Sequence, residues 1–400
     1  MPSISSMFRG RERAPEARVL RKVVFVGYGP FDCNSGGHIA GFARELAAMG
    51  YAVGVAGRGD VGAAYAFGPP AFEMFTLDDL RLDPVGAMGF DGAFEPERTM
   101  LVCWTPRKAS RRALVKARRR RPIRYVVHFE DNEDLLTGLR ASSELDAETD
   151  AQERRELLAG AAGASFIEAR LEELLPPELP KLLLEPGVDH ALFGSPLPPH
   201  RRRTLLRAAG VPAGAAVLVY CGNVHRANLG EVLELYRAVQ QLRAAGRQIV
   251  LIRTGKDDVD MAAALGGAPA SAGIIELGVV ERAMLVELLK CADLFVQPGA
   301  PGPFNDYRLP SKIPEFMAVG RPLVLPASNV GLRLRDGEDA LQLRAGSAEE
   351  IAARIAAVLE DPALAARLGA NAQAFAARTW RWDVQGRRLA DFLEGLARSA

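Results

Sequence analysis

Apolar positions in the first half of the chain form short runs that alternate with helical patterns. The β-branched run VLRKVVFVGYGP ends in glycine, and it is followed by the loop DCNSGGH, the amphipathic segment IAGFARELAAMG and the buried run YAVGVAG. This order of strand, helix and strand predicts a βαβ unit with parallel strands. Further strands of this half are predicted at residues 100–104, 125–128, 164–167 and 182–185.

The second half repeats the alternation after a Pro- and Arg-rich stretch. Strands are predicted in AAVLVYCGN, RQIVLIRTG, GIIELGVV, DLFVQPG and RPLVLP, and helices in LGEVLELYRAVQQLRAAG, RAMLVELLKCA and SKIPEFMAVG. Such repetition indicates an α/β protein in which two parallel sheets are covered by helices on both faces. Two such sheets imply a cleft, and ligands bind at the carboxyl ends of the strands.

The length of 400 residues also favours two domains. We expect a disordered tail at 1–18, a first Rossmann-like domain at 19–194, a linker at 195–212 and a second Rossmann-like domain at 213–378. Residues 379–400 are expected to form a helix that packs back on the first domain. Trp380 and Trp382 near its start would be costly to expose to water.

Composition and charge disfavour several classes of protein. Apolar residues make up 48% and the formal net charge is +1, which supports packed globular domains and gives no general attraction to nucleic acid. The four cysteines are far apart, so buried thiols in a reducing compartment are expected rather than a zinc site or disulfides. With neither a secretory signal pattern nor a stretch apolar enough to span a membrane, a cytoplasmic protein is expected.

Residues 107–124 carry ten Lys or Arg and no acidic residue, and the stretch 131–156 that follows is strongly acidic. A charge run is usually a solvated face. The functional alternative is docking to anionic lipid headgroups, which would place the protein peripherally on the inner face of a membrane. Nucleic acid is disfavoured as a partner because no aromatic side chains that could stack on bases interleave with the arginines.

The segment NDYRLPSKIPEFMAVGRPLVLP, residues 305–326, contains the strongest candidate site. Lys312 and Glu315 follow Ser311 at the predicted start of a helix. The N–H groups and the dipole at a helix start can hold a phosphate, and a carboxylate one turn further can accept hydrogen bonds from a ribose diol. The alternative is a surface ion pair worth about 0.3 kcal/mol. The position at a strand-end cleft favours nucleotide binding.

Two strand ends in the first half carry further candidates. Gly36 and Gly37 lie in a strand-to-helix turn where a backbone could approach a phosphate, although such a turn can also need glycine for its conformation alone. A full GxGxxG pattern is absent, which disfavours a nicotinamide cofactor. His128 ends a strand before Glu130 and Asp131, and a polar interdomain site is favoured there over a metal site or a plain helix cap.

In the second half, Gly222 opens the loop GNVHRANLG between a strand and a helix. Arg226 and His225 in this loop are candidate phosphate partners, since a guanidinium can bind a phosphate through two parallel hydrogen bonds. Arg253 and Lys256, at the next strand, are alternatives for the same role. Each arginine could instead be an ordinary surface charge.

These segments together resemble a GT-B-fold, nucleotide-sugar-dependent glycosyltransferase close to glycosyltransferase family 4. VLVYCGN, GIIELGVVERAMLVELLKCADLFVQPG and RLPSKIPEFMAVGRPLVLP occur in that family's order, and SGGHIAGFARELAAMGYAV and LLEPGVDHALF fit its first half. The resemblance covers most of residues 20–390. It implies two Rossmann-like domains that face each other across a cleft, and transfer with retention of anomeric configuration.

The resemblance also implies roles for single residues. Glu315 matches the glutamate that holds the nucleotide ribose, and Lys312 would lie near the diphosphate. Gly37 would face the acceptor and the donor phosphate. His128 matches a histidine that lies beside the transferred sugar.

The chain departs from the family pattern at two places. Tyr307 stands where the family has a second glutamate, so either Asp306 or Asn305 takes the sugar-contacting role or that contact is absent. The Gly-Arg…Lys-Gly phosphate clamp of the family is also missing, since Asn223 and Leu229 occupy its positions.

The resulting hypothesis is a glycosyltransferase that moves a sugar from a nucleotide diphosphate sugar to a glycan or lipid-linked acceptor. Lys312, one arginine (Arg226 or Arg253) and helix N-termini would stabilise the leaving diphosphate without a metal or another cofactor. Two alternatives stay open, a nucleotide-sugar 2-epimerase and an inactive, transferase-like partner subunit.

Overall fold

A computed structural model describes residues 18–92, 94–140 and 144–399 of the chain. The tail predicted at residues 1–18 therefore falls, apart from Arg18, outside the described residues. The first sheet has seven parallel strands in the order β3-β2-β1-β4-β5-β6-β7. These strands are β1 (Lys22–Pro30), β2 (Ala52–Arg58), β3 (Glu73–Thr76), β4 (Thr99–Trp104), β5 (Arg124–Phe129), β6 (Gly163–Phe166) and β7 (Lys181–Leu183).

The second sheet has six parallel strands in the order β10-β9-β8-β11-β12-β13. They are β8 (Ala216–Cys221), β9 (Ile249–Thr254), β10 (Ile274–Glu276), β11 (Leu294–Val296), β12 (Leu323–Pro326) and β13 (Leu341–Leu343). The predicted fold class, α/β with two parallel sheets, is confirmed. We call each sheet with its helices the first and the second domain.

Fifteen α-helices of the described residues surround the sheets. They are α1 (Asn34–Ala48), α2 (Leu77–Leu82), α3 (Pro84–Met88), α4 (Lys108–Arg120), α5 (Glu133–Arg140), α6 (Glu144–Ala159), α7 (His190–Gly194), α8 (Pro199–Ala208), α9 (Leu229–Ala244), α10 (Met261–Leu265), α11 (Arg282–Cys291), α12 (Lys312–Val319), α13 (Ala348–Glu360), α14 (Pro362–Thr379) and α15 (Trp382–Arg398). Among the described residues, no helix combines the length and the apolar character that crossing a membrane requires.

Burial on both faces explains why the central strands read as continuous apolar runs. In β1, Val24 and Val26 belong to the core on one face of the sheet, while Val23 and Phe25 belong to the core on the other face. A parallel sheet with helices on both sides needs apolar residues at every strand position. Strand order reverses between β1 and β4, and again between β8 and β11. At such switch points the carboxyl ends of the strands open a crevice for ligands.

The last helix, α15, lies on the first domain although α14 packs on the second. Trp382 meets Phe42 of α1 edge to face at 5.3 Å, and its ring fills the space where Gly41 lacks a side chain. Glu394 accepts hydrogen bonds from the backbone N–H groups of Val19 and Leu20 ahead of β1. The chain thus passes between the domains twice.

The two passages between the domains lie side by side. The carbonyl of Trp380 accepts hydrogen bonds from the N–H of Val188, at 3.0 Å, and from Nε2 of His190, at 2.9 Å. The indole N–H of Trp380 donates to Glu185 at 3.0 Å. Trp380 is fully buried, as expected from the cost of exposing it.

Several elements were not predicted from the sequence. Helix α8 occupies most of the segment that was predicted as a linker, and it packs on α11. The edge strands β3 and β13 and the short helices α2 and α3 were also not foreseen. These elements are short and carry little hydrophobic periodicity.

Candidate functional site

Lys312 begins helix α12 at the carboxyl end of the second sheet. Its ammonium lies 4.2 Å from the centre of the Tyr220 ring, which comes from the end of β8. The same ammonium lies 2.8 Å from the position that a Cβ on Gly222 would take, and Gly222 has a φ of 143° that favours glycine. Gly222 therefore gives Lys312 the space to lie against the backbone at the β8 switch point.

Glu315, in the first turn of α12, forms an ion pair with Arg282, the first residue of α11. The guanidinium holds Oε1, and only 17% of the Glu315 side chain is exposed. Burial acts to lower the pKa of Arg282, but the charge and the hydrogen bond of Glu315 raise it by more, so the net shift is upward. Arg282 was not identified from the sequence, because its side chain meets Glu315 only through the packing of two helices.

Ser311 precedes α12, but its hydroxyl makes no capping hydrogen bond. No capping bond therefore occupies this hydroxyl, and the role of Ser311 in binding the donor nucleotide stays a prediction. In the first turn of α12 the Ile313 N–H donates to the Pro310 carbonyl at 2.9 Å and Pro314 has no N–H, so the N–H of Lys312 is the one that a phosphate could use there.

Asp306 was predicted, as an alternative to Asn305, to contact the transferred sugar, and in the structure it is hydrogen-bonded to protein groups. Its Oδ2 accepts a hydrogen bond from Arg170 of the first domain at 2.6 Å, and its Oδ1 accepts from the Ser328 hydroxyl at 2.6 Å. Asn305, the other candidate, is 3% exposed and hydrogen-bonded to Glu231 and to the carbonyl of Ala300. Both side chains hold the loop before α12 in place, and contact of either with a sugar stays a prediction.

Tyr307, at the position of the family's second glutamate, faces the first domain. Its hydroxyl donates to Glu173 at 3.2 Å, and Arg170 lies over its ring at 5.4 Å. The loop between β11 and α12 thus forms a direct contact between the two domains.

Arg253 was predicted as a phosphate partner, and the structure places it elsewhere. It is 1% exposed and forms an ion pair with Asp257, while further hydrogen bonds reach the carbonyls of Gly222 and Lys256. A buried guanidinium with this set of partners supports the loops below the site. Arg226, the other candidate, is exposed in the loop between β8 and α9.

The two glycines of the first domain lie in the first turn of α1 rather than in a turn before it. A Cβ on Gly36 would meet the carbonyl oxygen of Phe31 at 2.0 Å, and one on Gly37 would meet the Phe67 ring at 2.8 Å. Cys33 caps the helix by accepting a hydrogen bond from the Gly36 N–H. Close packing thus accounts for both glycines, and the phosphate contact stays a prediction.

His128 was predicted to lie beside the transferred sugar, but its ring is fully buried. It stacks on Trp104 with 3.8 Å between ring centres, and its Nδ1 contacts the Ser165 hydroxyl at 2.9 Å. Burial lowers its pKa to about 3, so the ring is neutral. His128 is part of the core below the site and does not reach the cleft.

A different histidine lies at this edge of the first sheet. Nδ1 of His38, in the second turn of α1, is 2.6 Å from Oε1 of Glu130, which follows β5. Glu130 also accepts hydrogen bonds from the hydroxyls of Ser35 and Thr105, and Thr105 has a φ of 59°. Burial acts to raise the pKa of Glu130, but its bonds with His38 and Ser35 lower it well below its usual range. The sequence feature that could have indicated this site is the position of His38 directly after Gly36 and Gly37.

Charged residues of both domains meet near Asp131. Arg107 forms hydrogen bonds to both carboxylate oxygens of Glu133 and a 3.4 Å contact to Asp131. Desolvation and Glu133 raise the pKa of Asp131 to about 6, against the charges of Arg107 and of Arg308 in the second domain. The charge of Arg308 in the second domain thus acts on a carboxyl group of the first domain.

Comparison with known families identifies the second domain. Residues 215–361 match the family model described as glycosyl transferases group 1. The match runs from just before β8 to the end of α13 and so spans most of the second domain. The predicted resemblance and the predicted enzyme class, a glycosyltransferase, are confirmed by this group 1 domain. No curated protein matches the sequence.

Solved structures resemble the whole chain, including the part outside the group 1 domain. HepE of Anabaena, in complex with UDP and glucose, is 18% identical with a TM-score of 0.71, and the match covers 94% of this chain and 100% of HepE. Sucrose-phosphate synthase from Thermosynechococcus elongatus is 15% identical with a TM-score of 0.69, covering 95% of this chain and 100% of that one.

WaaG, a glycosyltransferase involved in lipopolysaccharide biosynthesis, is 16% identical with a TM-score of 0.63, covering 93% of this chain and 100% of WaaG. At these identities the likeness establishes a shared GT-B fold.

Proposed function

We propose that the protein transfers a sugar from a nucleotide diphosphate sugar to an acceptor in the cleft between its domains. The observation that carries this proposal is the start of α12, where Glu315 and Lys312 lie together at the carboxyl end of the second sheet. HepE, whose fold is similar, is described in complex with UDP and glucose. A uridine nucleotide is therefore the first donor to test.

The chemistry would begin with the donor on the second domain. One oxygen of Glu315 is held by Arg282, and the other would accept hydrogen bonds from the ribose hydroxyls. The ammonium of Lys312 and its backbone N–H at the start of α12 would stabilise the charge that develops on the leaving nucleoside diphosphate. These groups supply positive charge without a metal, so the proposed reaction needs no cofactor.

The acceptor would approach from the first domain. His38, Glu130 and Thr105 lie at the carboxyl ends of its central strands, where an acceptor hydroxyl would meet the donor. Retention of anomeric configuration, a glycan or lipid-linked acceptor and docking of α4 to an anionic membrane complete the proposal.

Replacing Glu315 with Ala tests the nucleotide site. Titration calorimetry with UDP, GDP and ADP should show that one nucleotide binds the native protein, in EDTA as well as without it. The variant should bind that nucleotide roughly tenfold to a hundredfold more weakly, because charged hydrogen bonds to the ribose are lost.

Glu281→Ala is the matched control, since Glu281 is exposed in the same domain and forms no ion pair among the described residues. It should bind like the native protein. Normal binding by the Glu315 variant would contradict the ribose role, and failure of all three nucleotides to bind would contradict the proposed donor class.

A further inference from the structure

A nucleoside diphosphate needs more positive charge than Lys312 alone supplies, and most nearby arginines already have carboxylate partners. Arg253 is buried against Asp257, and Arg282 is paired with Glu315. A second cation for the diphosphate must therefore be one that is not fully engaged by a carboxylate.

Arg308 is held at the cleft with part of its guanidinium uncommitted. The group stacks on the Phe304 ring at 3.8 Å, and its Nε and Nη2 donate to Oδ1 of Asn305 at 3.1 and 2.7 Å. Its contact with Oε2 of Glu231 is longer, 3.3 Å. Nη1 donates no hydrogen bond within the described part of the chain. Stacking and Asn305 thus fix the plane of the guanidinium and leave one edge for a ligand.

Glu231 lies in the first turn of α9 and contacts Arg308. It interacts electrostatically with both Arg308 and Lys312, and Asn305 donates a hydrogen bond to its Oε1. Burial raises its pKa. A carboxylate in this place balances the cations while no anion is bound, and its weak geometry with Arg308 allows a phosphate to replace it.

We infer that Arg308, together with Lys312, holds the diphosphate of the donor, and that Glu231 is the carboxylate that a bound diphosphate displaces from Arg308. This inference rests on the proposed function. It assigns to this chain a phosphate clamp built from the loop before α12, in place of the positions occupied by Asn223 and Leu229.

The experiment compares a nucleoside diphosphate with its monophosphate. The pair is UDP and UMP, or the guanosine or adenosine pair if that nucleotide binds, and both ligands are titrated into each variant. Arg308→Gln should weaken diphosphate binding roughly tenfold or more and leave monophosphate binding within about twofold. Arg308→Lys should have a diphosphate affinity between those of the native protein and Arg308→Gln, because it keeps the charge and loses the planar guanidinium.

Glu231→Gln should act in the opposite direction. The amide still accepts from Asn305, but it no longer competes for Arg308, so the diphosphate should bind roughly fivefold more tightly. Arg321→Gln is the charge-matched control, since Arg321 is exposed just after α12 and forms no ion pair among the described residues. It should leave the affinities for both ligands unchanged.

The outcomes separate the inference from the proposed function. The inference would be overturned if Arg308→Gln lost affinity equally for the diphosphate and the monophosphate, or lost none. It would also be overturned if Glu231→Gln bound the diphosphate more weakly. If Arg308→Gln does not fold, Arg308→Lys and Glu231→Gln decide the question, through the ratio of diphosphate affinity to monophosphate affinity. If the native protein binds no nucleotide, the proposed function itself has failed.

Discussion

Single residues at this cleft are constrained by contacts at van der Waals distance. The helix start at α1 requires a hydrogen atom in place of a side chain at position 36, because the Phe31 carbonyl occupies the space of a Cβ. Gly222 is constrained by Lys312 and by its own φ of 143°. These glycines position backbone and charge before any ligand arrives.

Gly36→Ala should strongly destabilise the protein, while Gly395→Ala should stabilise it. A Cβ at position 36 lies 2.0 Å from a backbone oxygen, so the loop before α1 must move, at a cost of about 3 kcal/mol. Gly395 is exposed within α15 with no atom near its Cβ, and alanine there should add about 0.5–1 kcal/mol. Urea unfolding measures both. Equal effects of the two substitutions would contradict the packing account of Gly36.

At the scale of elements, helix α4 divides its basic residues between two faces. Arg111 on the inner face is 3% exposed in its side chain and pairs with Asp150 and Glu153 of α6. The outer face carries Lys108, Arg112, Lys116, Arg119 and Arg120, all exposed. No ion pair of these five is found within the described part of the chain. The acidic stretch that follows the basic run therefore neutralises the inner face only.

Charge reversal on the outer face of α4 tests the proposed membrane contact. At low salt, vesicles containing phosphatidylglycerol should retain the native protein, and Arg119→Glu with Arg120→Glu should lower retention at least about tenfold. Arg203→Glu with Arg207→Glu on α8 makes the same charge change on another exposed helix face and should alter retention much less. If both pairs of substitutions lowered retention equally, retention would depend on total charge alone, which would contradict docking by α4.

At the scale of the whole molecule, the contact between the domains includes an unusual carboxyl group. Glu168 follows β6 and precedes Arg170, which reaches Asp306 of the second domain. Burial and the nearby Glu185 raise the pKa of Glu168 to about 7, although Arg333 opposes the shift. The folded protein therefore binds a proton here more tightly than the unfolded chain.

Stability should fall as the pH rises from about 4.5 to about 7, and Glu168→Gln should reduce that fall. Because the pKa of Glu168 is higher in the folded state, its contribution is complete below about pH 4.5 and is lost as the pH rises through about 7. Urea unfolding between pH 5 and pH 8, about half a unit apart, measures the slope. Glu178→Gln, an exposed substitution, should keep the native slope. An unchanged slope in Glu168→Gln would contradict the assignment.

The sequence predicted the fold well where strands are long and buried on both faces. The runs that became β1, β4, β5, β8 and β9 carry a continuous apolar signal, whereas β13 has only three residues and α8 lies in a segment rich in Pro and Arg. Lys312 and Glu315 could be predicted because both lie on one helix start. Their partners could not, since Arg282 and Gly222 come from elements whose approach depends on the folded packing.

The same limit explains the histidines of the first domain. His128 has the sequence context of a cleft residue, but the alternation of β5 turns its ring into the core beside Val126. His38 lies on the helix, 92 residues before Glu130, and only the sheet brings the two together. Predicting such a pair needs the register of the elements as well as their order.

The adjacent passages of the chain between its domains restrict how the enzyme can move. Val188 and His190 are bonded to the carbonyl of Trp380, so the two connections are fastened at one place. Connections that are joined at one place act as a single hinge, and rotation about this hinge is the motion that leaves their bonds intact. Opening should therefore be a rotation of one domain about this hinge that breaks the contact between Arg170 and Asp306.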